Sequence, residues 1–140
     1  MGPIHTMPDL QERIRANLNA RTGLGTDYLN HFNEAAMLIG MLGDAPEAAE
    51  DVLAWSPRSY VEHFAASGLR YRDAAIAAYA EADPDARRQL ELGSRELADM
   101  IAQAQARLRL GEDPQDFAAE TAHALYEAIS ALSAIINGEG

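Results

Sequence analysis

The clearest pattern of apolar and polar positions lies near the C-terminus, where Ala118, Ala122, Leu125, Ile129, Leu132 and Ile136 follow one another at alternating steps of four and three. Such spacing is the seam of a helix packed nearly antiparallel on a neighbour. Leu90, Leu97, Met100, Ile101, Ala104 and Leu108 form the matching stripe, and the short link Leu110-Gly-Glu-Asp113 makes the two helices adjacent. Asp83-Pro84 and Asp113-Pro114 each put a capping carboxylate before a proline, whose missing N–H costs nothing in a first turn. They predict long helices over 84–110 and 114–137, closed by Gly111 and Gly138.

Shorter periodic segments precede this pair. Leu10, Ile14 and Leu18 predict a helix from Pro8 to Asn19, ended by Thr22-Gly-Leu-Gly25. Thr26 serves as an N-cap for the next helix, with Asp27 in its first turn, and Tyr28, Phe32, Ala35, Ala36 and Ile39 fall on one face. Met37, Leu38 and Met41 point elsewhere, so 35–42 is apolar nearly all round and is expected to be buried on several faces or to meet a second subunit. Pro46 opens a helix to Trp55, and Ser56-Pro57 reads as the cap and first residue of another that ends at Ser67-Gly68. An alanine-rich helix over 70–82 carries Ile76 and Tyr79 on one side.

No stretch alternates with period two, so no strand is expected. The reading is an all-α, single-domain helical bundle of about five to seven helices over 8–140, the last two long and antiparallel. Residues 1–7 carry no periodic pattern and read as a flexible lead.

Composition narrows the function classes. The chain has 140 residues, 48% of them hydrophobic, and a formal net charge of −11. That places it among chains able to bury a core. It has no cysteine, which removes thiolate chemistry and disulfides. The longest apolar run, 35–42, is far short of the ~20 residues that span a bilayer, so no membrane association and a cytoplasmic location are expected. All eleven basic residues are arginines, mostly in pairs such as Arg13/Arg15 and Arg87/Arg88. Without a basic face there is nothing to displace counterions from phosphates, and nucleic acid is excluded as a partner. The absence of lysine beside abundant alanine and arginine fits GC-rich coding and suggests a bacterial source.

Three places could carry chemistry or contacts. His31-Phe-Asn-Glu34, with Asn30, sets polar groups against the apolar segment. His31 and Glu34 could act as metal ligands or an acid/base pair, with Asn30 and Asn33 orienting a small-molecule substrate and His63 near. Alternatively His31 simply bonds a backbone carbonyl or helix end at the edge of the core. Trp55 to Phe64 gathers the sole tryptophan with Arg58, Tyr60 and His63, residue types that serve as binding hot spots or as anchors for a short helix. Glu120-x-x-His123 has the spacing of a helical metal-ligand pair, yet the wheel places both on the solvated face with Asp116, Glu127 and Ser130.

Ala122-His123-Ala124-Leu125 resembles the start of the histidine phosphotransfer motif. The resemblance implies phosphorylation of His123, although Tyr126 and Glu127 stand where that family has lysine and glycine. Taken together, the sequence favours a non-enzymatic bundle without cofactor or metal. It is expected to act through protein contacts, as a homodimer or with another protein, using Met37 and Met41 or Trp55, Arg58 and Tyr60.

Overall fold

A computed structural model describes residues 10–139, and side chains from residue 11. The lead assigned to 1–7 lies outside the described residues. Within them the chain is all-α: α1 (Leu10–Arg15), α2 (Asn30–Met41), α3 (Ala49–Ala54), α4 (Tyr60–Ala66), α5 (Arg72–Ala80), α6 (Pro84–Arg109) and α7 (Ala118–Ile136). The last two are long and in contact, as the seam requires. Every seam position of α7 is buried, and so are Leu90, Leu97, Ile101 and Ala104 of α6. Asp83 caps α6 by accepting the Ala86 N–H at 2.9 Å.

Several helix starts differ from the sequence reading. Thr26 opens a single 3-10 turn (Thr26–Leu29) rather than capping α2, which begins at Asn30. Pro46 and Pro114 likewise open 3-10 turns (Pro46–Ala48 and Pro114–Asp116) ahead of α3 and α7. Ser56-Pro57 starts no helix. Ser59 does so three residues later, its hydroxyl accepting the Glu62 N–H at 3.0 Å while its own N–H donates to the Glu62 carboxylate at 2.7 Å. This reciprocal box satisfies two helix-end donors where a serine followed by proline satisfies one. The Ser59 N–H, together with the Ser59 side chain, also holds the Glu62 carboxyl below its usual range.

The described residues form two compact units. The first comprises 10–28, 58–91 and 132–139. Here α5 packs on α4 and α1, and Leu24, Tyr60, Phe64, Ala75, Ala78 and Ile136 are almost wholly buried. Small residues on α5 and beyond let backbones approach. Gly23 sits at φ +77°, a left-handed backbone conformation that favours glycine, with a Cβ there at contact distance, 3.4 Å, from the Ala82 Cα. The 18–25 loop is closed on itself by the Leu18–Gly25 bridge and tied into the unit by Thr22 donating to the Ile136 carbonyl and by Asn19 donating to the Asn137 carbonyl. The loop thus holds the C-terminal end of α7.

The second unit comprises 29–57 and 92–131. Phe32, Ala35, Ala36, Ile39 and Leu42 bury one face of α2 with Val52, Leu97, Ile101, Phe117 and Leu125. Gly40 of α2 meets α7 closely: a Cβ on it would sit 3.4 Å from that of Ala122. The expectation that 35–42 is buried on several faces needs correction. Met37 is 51% and Met41 44% exposed, so the surplus apolar side of α2 faces solvent.

Candidate functional site

His31 and Trp55 form a clasp in the second unit. Their rings stack with centroids 4.7 Å apart and planes at 22°, while Phe32 lies 5.8 Å from the indole. The indole N–H donates to the His31 carbonyl at 2.9 Å. In return His31 Nε2 lies 2.6 Å from the Ser56 carbonyl oxygen. A carbonyl only accepts, so Nε2 carries the proton and its lone pair is not offered to a metal. Such bonding to a backbone carbonyl is one of the two roles the sequence allowed for His31.

Beneath the clasp lies a residue that sequence reasoning missed. Gln105 of α6 is 9% exposed, and its amide nitrogen donates to the Val52 and Trp55 carbonyls, both at 2.8 Å. These are carbonyls at the end of α3, where a helix leaves acceptors unpaired. The available signal was a glutamine at a seam-adjacent position of α6. Its partners, some fifty residues away, could not be inferred from spacing. Gln105→Met keeps the volume and removes both bonds. It is expected to cost about 2 kcal/mol, read as a lower urea midpoint at unchanged slope.

The other polar candidates are dispersed. Glu34 and Asn30 are exposed and Asn33 partly so. His63 belongs to the first unit, where Nε2 meets the Asp27 carboxylate at 2.9 Å, with the Tyr28 and Phe64 rings 5.7 and 5.3 Å from the imidazole. Asp27 is therefore a partner for α4 as well as a first-turn acid. Tyr60 is 3% exposed and accepts the Gly25 N–H at 2.9 Å. Of the hot-spot candidates, Trp55 and Tyr60 are thus taken inside as anchors, whereas Arg58 stays exposed and gives its carbonyl to the Tyr28 hydroxyl at 2.7 Å.

His123 is on the solvated face, its side chain 77% exposed and paired with Glu127 one turn on. No group of three or more histidine, aspartate or glutamate side chains among the described residues is placed to hold a metal ion. Nor is any described helix long and apolar enough to cross a membrane. The hollows among the described residues include two open ones. One of about 590 Å³ runs beside Met100, Ala104, Arg107, Glu120 and Thr121. Arg107 there is already engaged, over the Phe117 ring at 5.0 Å and with Glu112 at 3.4 Å. The other, about 460 Å³, lies beside Tyr79, Arg87 and Glu91, with the Tyr79 hydroxyl donating to Glu91 at 2.6 Å. Arg107 of the first hollow and Glu91 of the second are thus spent on neighbours within the fold.

No known family, curated protein or solved structure matches this chain.

Proposed function

We propose that the protein is a non-catalytic helical bundle that works by contacting other polypeptides through the outward side of α2. The observation that carries this reading is the exposure of Met37 and Met41, at 51% and 44%, on a helix whose opposite face is fully buried. Two large apolar side chains one turn apart on a well-packed helix give a partner something to bury, and methionine adapts its shape to what it meets. The polar groups support the same reading from the other side, because His31, Tyr60 and Gln105 are all occupied in holding the fold.

Photo-crosslinking in the native cells tests it, with p-benzoylphenylalanine at Met37 and, as control, at the still more accessible Leu110. A discrete covalent adduct at Met37, whether to another protein or to a second copy, and none at Leu110 is the expected result. No adduct at Met37, together with a monomer by sedimentation at all concentrations, would remove the proposal.

A further inference from the structure

Resting on that reading, we infer that the contact face is shared by α2 and α7 and takes an amphipathic helix of another protein that carries lysine or arginine beside its apolar stripe. The face follows from two contacts. Gly40 abuts Ala122, and the Gly43 carbonyl accepts from the Gln115 amide at 2.7 Å. Numbers rise along α2 as they fall along α7, so the two helices run antiparallel, and Tyr126 comes level with Met37.

At about 100° per residue, Met37 and Met41 are rotated roughly 60° and 100° from Gly40, away from Ala36 and Ile39. Ala119 and Tyr126 are rotated roughly 60° and 40° from Ala122, away from Leu125. In an antiparallel pair these rotations lead to the same, outer side. Met37, Met41 and Tyr126, the last 46% exposed, therefore flank a floor of Gly40 and Ala122, whose small size lets a helix approach closely.

Charge selects the occupant. Lysine is absent, and no arginine occurs between Arg21 and Arg58 or after Arg109, so neither helix of the face carries a permanent positive charge. Glu34 lies about one turn before Met37, Asp44 one turn after Met41, and Glu127 beside Tyr126, all exposed. His123, on α7, is paired to Glu127. A second copy of the chain would press like charges together around an apolar centre, and an anionic lipid surface would be repelled in the same way. A basic helix would neutralise the frame as it covers the methionines.

The test titrates the full chain, labelled at methionine methyls, with an amphipathic leucine–lysine peptide and with its leucine–glutamate counterpart. Saturable binding of the lysine peptide, with the Met37 and Met41 resonances moving most, is expected. Met37→Gln/Met41→Gln is expected to weaken it by about tenfold or more, and Glu34→Gln/Asp44→Asn to weaken it while flattening its salt dependence. Both variants change exposed positions only, and unchanged circular dichroism checks their fold. Shifts spread over acidic side chains with the methionines still, undiminished binding by the methionine variant, or no binding at all would each overturn the inference. A homodimer that buries Met37 and Met41 would also overturn it while leaving the contact reading intact. Loss of the Met37 crosslink would instead remove that reading itself.

Discussion

Replacing Trp55 by alanine is expected to cost about 3–5 kcal/mol, enough to leave a chain of this size largely unfolded at moderate denaturant. The indole is 7% exposed, stacks on His31, touches Phe32, and donates to the His31 carbonyl. Alanine removes all of these contacts together, and the space cannot close because Gln105 holds the neighbouring carbonyls in place. Trp55→Phe separates the contributions. It keeps an aromatic plane against the imidazole and loses only area and the N–H bond, so about 1–2 kcal/mol is expected. Urea unfolding followed by far-ultraviolet circular dichroism is the suitable measurement, because Trp55 is the sole tryptophan and its fluorescence disappears with it. Equal losses in the two variants would mean that the N–H bond, not the packing, carries the anchor.

The contrast between Trp55 and Met37 explains what the sequence could convey. Periodicity reports which side of a helix is apolar, and it placed the α7 seam, the Phe32–Ile39 face and Leu90, Leu97, Ile101 and Ala104 of the α6 stripe correctly, since all are buried. Two positions of the α6 stripe, Met100 and Leu108, are only half-buried. The pattern also detected that α2 has more apolar surface than one stripe needs. Whether the surplus meets another helix or solvent depends on neighbours set by tertiary packing, and here Met37 and Met41 remain outside. Helix starts were blurred for a related reason. Capping signals compete locally, and the Ser59–Glu62 box prevailed over Ser56-Pro57 by satisfying one more donor.

Polar side chains were the least legible. His31, Asp27 and Gln105 are all engaged with partners 25 to 53 residues away. Nothing in the local pattern distinguishes a glutamine that closes a helix end from one that faces water. A histidine beside an asparagine and a glutamate reads as chemistry in one dimension. In three its Nε2 donates to the Ser56 carbonyl and its ring stacks on Trp55.

Raising the pH should destabilise the protein in a defined window. The Tyr60 hydroxyl is buried among Tyr28, Phe64 and Tyr79, and burial pushes its pKa from 10.0 up to about 12, against the Gly25 N–H bond, which pulls it down, and with the Asp27 charge, which raises it further. Below the unfolded value near 10 both states keep the proton, and Tyr60 adds no slope. Between about 10 and 12 the unfolded chain has released a proton that the folded chain retains, so stability falls by up to about 1.4 kcal/mol per pH unit. The full loss approaches about 2–3 kcal/mol. Tyr79, stacked on Tyr60 at 4.5 Å and donating to Glu91, is raised by its own burial and by that carboxylate, and acts in the same direction. Urea midpoints should therefore hold steady to about pH 10 and then drop. Ultraviolet titration should show part of the tyrosine absorbance change delayed until unfolding. Tyr60→Phe leaves the Gly25 N–H without its acceptor and is expected to be about 1–2 kcal/mol less stable at neutral pH. Its decline above pH 10 should be shallower, so the two stability curves converge as the window is crossed. Parallel curves would show that Tyr60 is not the group that titrates.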